Sequence, residues 1–208
     1  MTNGLLGHEA VFPCESGSTV TDDAQPLSLE GQFLVASPEL RDPNFVRSVV
    51  LLIRHNDEGA FGVVLNRPSF TSVAEVWSQV SKIDCKTREK LFVGGPVNGP
   101  LMAVHTQPAL SDLQVAADLC FTGKPSHIEQ LVAENHGPIR FIVGFAGWGP
   151  TQLEAELAED AWLTTPANSA RAFGNTSALW ERAIRQVSDA ALRSVLNIKQ
   201  GPADSSLN

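Results

Sequence analysis

Three predicted strands end in residues that could bind a ligand. Asn66-Arg67 closes one strand, Gly94-Gly95-Pro96 follows a second, and Gly147-Trp148-Gly149 follows a third. Glycine lets the backbone approach a ligand closely, and the planar guanidinium of Arg67 is suited to a carboxylate or a phosphate. If the three strand ends converge, these residues form one ligand-binding rim that favours an anionic group.

The third turn also begins a predicted helix. Thr151 and Glu154 stand at the spacing of a capping box, and the first turn of a helix presents unpaired N–H groups that attract anions. Thr151 therefore joins the predicted rim. A simpler interpretation stays open, in which the glycines are only turn residues, Trp148 fills a gap in the core and Arg67 pairs with an acidic side chain.

Residues suited to catalysis or metal binding form no recognisable pattern. The sequence lacks the common motifs of serine hydrolases, nucleotide-binding proteins, zinc proteases and dithiol enzymes. His105 and Asp112 could form a dyad across a turn, but a loop histidine bonded to its neighbours is the commoner arrangement. His127 and His136 are too far apart on one predicted helix to bind a metal ion alone. No cofactor, metal site or catalytic residue is predicted.

Composition indicates a cytoplasmic protein that binds neither membranes nor nucleic acids directly. The longest apolar run, Val49–Ile53, is far shorter than the roughly 20 residues of a membrane-spanning helix. The three cysteines, Cys14, Cys85 and Cys120, are odd in number and widely spaced, which is typical of reduced thiols in the cytosol. The net charge of −8 disfavours tight binding to the phosphates of DNA or RNA.

The distribution of residue types divides the chain of 208 residues into three parts. Residues 1–29 contain four acidic residues and no lysine or arginine, and their Ser, Thr, Gly and Pro content predicts a disordered acidic leader. Residues 200–208 predict a flexible tail. Residues 30–199 hold most of the apolar residues, and this length predicts a single domain with one core.

The pattern between the tails predicts both strands and helices. The predicted strands are Phe33–Ala36, Ser48–Arg54, Ala60–Asn66, Leu91–Val93, Leu101–His105, Leu113–Phe121 and Phe141–Ala146. The predicted helices are Val73–Val80, which Ser72 and Glu75 cap, one that begins at Pro125, and one over residues 177–198 that Ser188-Asp189 could divide.

The order of these elements favours a mixed sheet over a doubly wound parallel one, because strands and helices do not alternate strictly. We expect Ser48–Arg54 and Ala60–Asn66 to form a hairpin, and Leu101–His105 to pair with Leu113–Phe121. The continuous apolar run at Val49–Ile53 predicts a strand covered on both faces, at the centre of the sheet.

Four separated motifs resemble the YqgE/AlgH family of bacterial proteins. In chain order they are Asp42-Pro43-Asn44-Phe45 with Arg47-Ser48-Val49-Val50, His55-Asn56 with Gly62-Val63-Val64-Leu65-Asn66-Arg67-Pro68, Gly94-Gly95-Pro96-Val97, and Gly147-Trp148-Gly149-Pro150 with Gln152-Leu153-Glu154. The match covers about residues 30–185. Phe145 and Thr151 depart from the tyrosine and the glycine that are usual in the family.

The resemblance implies an α+β fold, with a mixed branched β-sheet, a small barrel-like part of that sheet, and helices around it. It implies no catalytic residue, cofactor or metal, because the family has no established activity. It carries one functional label, a role in transcriptional regulation.

Three hypotheses about function stay open. The first is a binding or interaction module for a small anionic ligand or a protein partner. The second is a transcriptional regulator that does not bind DNA directly, since acidic residues interrupt the arginines of the last helix, which are Arg182, Arg185 and Arg193. The third is an enzyme of unknown reaction that uses Arg67, His55 or His105.

Overall fold

The computed structural model describes residues 28–80 and 84–196, which form ten strands and five α-helices. The strands are β1 (Gln32–Ala36), β2 (Val49–Asn56), β3 (Gly59–Val64), β4 (Pro68–Ser72), β5 (Lys90–Val93), β6 (Val97–His105), β7 (Leu113–Ala116), β8 (Leu119–Thr122), β9 (Ile139–Trp148) and β10 (Trp162–Pro166). The helices are α1 (Val73–Val80), α2 (Pro125–Glu134), α3 (Gln152–Ala158), α4 (Ser169–Ala172) and α5 (Leu179–Leu196).

The sheet branches at β9. One edge of β9 pairs with β6, and the other pairs with β5 at Ile142 and Val143 and then with β3 at residues 146–148. The main path runs β10-β1-β2-β3-β9-β6-β8-β7, while β4 and β5 lie off it. The sheet is mixed because β5 runs parallel to β9, whereas the other pairs are antiparallel. The predicted fold class is confirmed, but β9 rather than β2 is the junction of the sheet.

The sheet curls until its two ends approach each other. Gly31, just before β1, lies so close to β7 that a Cβ atom there would collide with the carbonyl oxygen of Val115. After β10, the backbone N–H of Ser169 donates to the carboxylate of Asp118 in the β7–β8 turn, at 3.0 Å. These contacts produce the barrel-like part of the fold.

Three hydrophobic clusters pack against this sheet. The first lies between the curled strands and includes residues of α4 and α5, the second covers the other face of β1–β3 with α3, and the third packs α1 and α2 against β5, β6 and β9. Because successive residues of a strand point to opposite faces, β2 contributes Val49, Leu51 and Ile53 to the first cluster and Val50 and Leu52 to the second. The prediction of a strand covered on both faces is confirmed.

The elements predicted from local signals are confirmed. The Ser72 hydroxyl accepts from the N–H of Glu75 at 3.2 Å, and the Glu75 carboxylate accepts from the N–H of Ser72 at 2.7 Å, which completes the capping box. The β2–β3 hairpin forms as expected. Helix α2 begins at Pro125 and ends at Asn135, which adopts the left-handed conformation with φ 51°.

One prediction about the elements is wrong, and one possibility left open by the sequence does not occur. Residues 113–121 form two strands rather than one, and only β8 pairs with β6, because the chain turns back after Ala116. Helix α5 continues through Ser188-Asp189 without a break. Serine and aspartate cost a helix interior only a few tenths of a kcal/mol, about as much as favourable neighbours such as Ala, Leu and Arg recover.

The predicted leader and tail fall almost entirely outside the described residues, as does Cys14. Ser28 and Leu29 are described, and both contact the body: the Leu29 N–H donates to Nδ1 of His55 at 3.1 Å, and the Ser28 hydroxyl donates to the carbonyl of His55. Within the described ranges, no helix has the length and apolar character that a bilayer crossing demands.

Replacement of the fully buried Leu51 tests the two-sided burial of β2. We expect Leu51→Ala to lower the free energy of unfolding by about 2–5 kcal/mol, because the change removes buried methyl groups and leaves a cavity. Leu192→Ala is the matched control, since Leu192 is 58% exposed and its truncation should change stability by less than about 0.5 kcal/mol. Equal effects in urea titrations of the two variants would contradict this assignment.

Candidate functional site

Asn66 forms hydrogen bonds that hold the surface segment preceding β2. Its amide nitrogen donates to the carbonyl of Arg47 at 2.8 Å, and its amide oxygen accepts from the N–H of Val49 at 2.9 Å. We refer to residues 41–47 as the 41–47 segment. Asn66 therefore serves as a bridge that fixes the end of this segment against β3.

Arg67 contacts the same segment one residue further on. Its guanidinium donates to the carbonyls of Val46 at 3.4 Å and Pro43 at 3.5 Å. Burial lowers the pKa of Arg67 from its ordinary value, and the nearby carboxylate of Asp42 acts in the opposite direction. Arg67 forms no ion pair closer than 4.0 Å with any described residue, so the simpler interpretation of a direct acid pair does not apply.

The ring of Trp148 packs against the 41–47 segment. Its ring stacks against Phe45 at 6.0 Å between centroids, and Phe45 also meets the edge of Trp162 at 5.3 Å. Both tryptophans donate their indole N–H to one carboxylate oxygen of Glu156, at 2.9 and 2.8 Å. Trp148 is only 5% exposed, so little of its side chain is open to a ligand.

Gly94 and Gly95 are required by backbone packing. A Cβ atom at Gly94 would collide with the carbonyl of Gly144, and one at Gly95 would collide with the backbone of Phe145. Pro96 continues the exposed turn into β6. Gly147 and Gly149 are exposed, and added Cβ atoms would meet no backbone other than their own neighbours there.

Thr151 does not cap α3 with its side chain, which corrects the predicted capping box. Its backbone is left-handed, with φ 62°, and its hydroxyl makes no capping hydrogen bond. The side-chain oxygen of Gln152 instead accepts from the N–H of Gly149 at 3.1 Å. Thr151 lines a small cavity of about 190 Å³ together with His55 and Glu154.

His55 in that small cavity has no free ring nitrogen. Nδ1 accepts from the N–H of Leu29, so the proton resides on Nε2, which donates to the Glu154 carboxylate at 2.7 Å. The pKa of Glu154 is lowered by a hydrogen bond from its own backbone N–H and by the bond from His55. His55 therefore joins the first described residues to α3 and is not placed to act as a general base.

His105 and Asp112 do not form the dyad considered from the sequence. Asp112 contacts His127 at 3.2 Å and accepts from the Thr122 hydroxyl at 2.8 Å. His105 is fully buried, its Nδ1 accepts from the N–H of Gln107, and its Nε2 has no hydrogen-bond partner. Burial, together with the nearby His127, lowers the pKa of His105 to about 4.

Arg140, which the sequence analysis did not single out, lies in a cavity of about 600 Å³ between the start of β9 and the turn after α4. Its guanidinium donates to the carbonyls of Leu65 and Gly174, and it lies 4.7 Å from the ring centre of Phe92. The cavity is lined by Pro68, Glu89, Lys90, Phe92, Asn135, Gly137, Pro138, Ile139, Arg140, Phe173, Gly174, Asn175 and Thr176. The sequence does contain one signal that could have identified Arg140, which is a single arginine inside an otherwise apolar strand.

The charge of Arg140 is buried without a direct counter-charge. The residue is 5% exposed, and no carboxylate of a described residue lies within 4.0 Å of it. Burial lowers its pKa to about 10, while Glu89 acts in the opposite direction, so the side chain stays protonated at neutral pH. The arrangement is suited to an oxyanion, which would accept from the remaining N–H groups of the guanidinium.

No group of three metal-ligating side chains converges within residues 28–80 and 84–196. Cys85 and Cys120 are both free thiols.

The predicted site residues fall into three places. Asn66, Arg67 and Trp148 hold the 41–47 segment, Gly94 and Gly95 pack on β9, and Thr151 lies in the small cavity beside His55.

Comparison with known proteins shows which family the chain matches. A model described as AlgH-like matches residues 33–191. A UPF0301 protein of Sinorhizobium medicae is 36% identical over 171 residues, which cover 75% of this chain and 85% of the relative, and one of Shewanella loihica is 39% identical over 166 residues, covering 75% and 89%. The solution structure of AlgH from Pseudomonas aeruginosa superimposes with a TM-score of 0.65 at 31% identity, covering 86% of this chain and 98% of that one.

The buried neutral state of His105 predicts a stability loss in mild acid. Its folded pKa, about 4, lies below the ordinary value of 6.5, so the unfolded chain binds the extra proton as the pH falls between these values. We expect the free energy of unfolding to decrease by about 1–3 kcal/mol over this window. His105→Asn, which keeps an acceptor for Gln107, should flatten the decrease in urea titrations, whereas His136→Asn at an exposed site should not. An unchanged pH profile in His105→Asn would contradict the assignment.

Proposed function

The chain belongs to the AlgH-like family. We propose that it is a binding protein whose Arg140 cavity takes a small anionic molecule. The observation that carries the proposal is the buried guanidinium of Arg140, which faces no carboxylate at ion-pair distance among the described residues. A buried charge without a counter-charge is costly even when carbonyls accept from it, and a bound anion would relieve that cost.

The size and lining of the cavity favour an organic anion. A volume of about 600 Å³ falls in the range of small-molecule sites. Lys90 supplies a second cation, Glu89 a single negative charge, and the rings of Phe92 and Phe173 supply apolar wall. We infer a ligand with one carboxylate or phosphate group attached to an apolar body.

The proposal locates the anion at Arg140 rather than at Arg67 of the predicted rim. Both guanidinium groups donate to backbone carbonyls, but Arg140 lines an open cavity, whereas Arg67 is directed into the 41–47 segment and has Asp42 nearby. The glycines of the rim support strands, and Thr151 faces a different cavity. An enzymatic role is not proposed, because His55 has both ring nitrogens bonded.

We expect binding of a simple anion to stabilise the fold through Arg140. Benzoate combines a carboxylate with an apolar ring, and at about ten times its Kd it should raise the melting temperature by roughly 3–6 °C, while neutral benzamide should not. Inorganic phosphate tests the phosphate alternative in the same assay. Arg140→Gln should abolish the shift, and Lys90→Gln, an exposed change that leaves the core intact, should reduce it by about half or more.

The matched control is Arg185→Gln, which removes the same charge from an exposed position outside the cavity. A shift that persists in both cavity variants, or that disappears equally in the control, would contradict an anion site at Arg140. The Lys90→Gln variant keeps the test decisive if Arg140→Gln proves too unstable to assay.

A regulatory role by direct DNA binding is disfavoured by charge. Arg182, Arg185 and Arg193 do share one exposed groove on α5, but Asp189 lies among them and the chain carries a net charge of −8. We expect no submicromolar binding to duplex DNA at physiological salt when measured by fluorescence anisotropy. Tight binding that weakens with salt and is lost in Arg185→Gln would reverse this conclusion.

A further inference from the structure

We propose that the 41–47 segment is a recognition surface for a protein partner that presents an acidic segment. The side chains of Arg41, Asn44, Val46 and Arg47 are exposed and make no hydrogen bond to any described residue. These side chains are therefore accessible to another molecule. This surface is separate from the Arg140 cavity and does not depend on the function proposed for it.

The backbone beneath these exposed side chains is held rigidly. Asn66 bridges the end of the segment to β2, Arg67 donates to two of its carbonyls, and Phe45 is wedged between Trp148 and Trp162. At the start of the segment, the Asp42 carboxylate accepts from the N–H of Asn44 at 2.7 Å. A surface that is already ordered loses little entropy when it binds, which is a hallmark of recognition loops.

Arg47 adopts an uncommon conformation that its neighbours hold in place, since its carbonyl accepts from the amide of Asn66. Its φ of 53° is left-handed, which costs a residue other than glycine roughly 1 kcal/mol or more. Glycine or asparagine would fill this position at lower cost. The left-handed backbone places the Arg47 guanidinium over the ring of Trp180, 5.4 Å from its centre, where the cation is oriented but unpaired. Strain of this kind is concentrated at functional sites.

The charge of the surface is opposite to that of the protein. Arg41, Arg47 and the adjacent Arg67 contribute +3, while Asp42 and the adjacent Glu39 contribute −2, a local balance of +1 in a chain whose total is −8. The complementary partner is anionic, and opposite potentials across an interface accelerate and orient association.

An acidic protein segment fits this surface better than a nucleic acid. Val46 is 45% exposed and stands among the arginines, which matches the apolar centre and arginine-rich composition of protein interfaces. A phosphate backbone would gain nothing from contact with the valine. Nucleic-acid surfaces also need a larger cluster of cations than three arginines and an aspartate provide.

The probe for this proposal is a fluorescent ten-residue peptide in which Asp and Glu alternate with Leu, titrated with the full chain and monitored by anisotropy. Its twin carries Asn and Gln at the acidic positions and should not bind. We expect the double variant Arg41→Gln/Arg47→Gln to weaken binding of the acidic peptide by about tenfold or more, and Val46→Ser by about threefold. The control Arg185→Gln/Arg193→Gln removes two exposed arginines elsewhere and should bind as the unmodified chain does.

Arg47→Gly separates recognition from folding. Glycine accepts the left-handed conformation, so the melting temperature should be unchanged or higher, while peptide affinity should fall. Three outcomes would overturn the proposal: no binding of the acidic peptide, equal affinity in the double variant and its control, or full affinity in Arg47→Gly. Binding of duplex DNA that is lost in the Arg41→Gln/Arg47→Gln variant would assign the surface to nucleic acid instead.

Discussion

The close approach of the β5–β6 turn to β9 is the constraint on which the rest of the structure depends. Gly94 and Gly95 carry no side chain, so their backbone lies directly against Gly144 and Phe145, and the N–H of Gly94 donates to the carbonyl of Val143 at 2.8 Å. The carbonyl of Gly94 in turn accepts from Val64 at the end of β3. This contact lets β5 and β3 share one edge of β9, and the branched sheet follows from it.

The shared edge also positions both candidate sites. Arg140 lies at the beginning of β9, beside β5, and Trp148 lies at its end, beside β3. The Arg140 cavity lies where β5 runs parallel to β9, and the 41–47 segment packs on Trp148 where β3 pairs with β9. A Cβ atom at Gly94 or Gly95 would separate these strands and disturb both places at once.

Local sequence signals predicted the elements well because their causes are local. The capping box at Ser72, the apolar alternation of β2 and the proline that starts α2 each depend on a few neighbouring residues. The functional geometry depends on contacts between distant residues. Arg140 meets the carbonyls of Leu65 and Gly174, 75 and 34 residues away, and no spacing in the sequence encodes that meeting. Asn66, Arg67 and Trp148 were singled out from the sequence, but their contacts with the 41–47 segment could not be predicted from it.

The two candidate sites lie at opposite ends of one strand, which makes their effects separable. Eight residues of extended chain span about 26 Å between Arg140 and Trp148, beyond the distance at which substitutions usually interact. One short stretch nevertheless contacts both: the carbonyl of Gly174 accepts from Arg140, and the ring of Trp180 lies beneath Arg47. Residues 174–180 therefore touch both sites, and substitutions within this stretch are the exception to their separation.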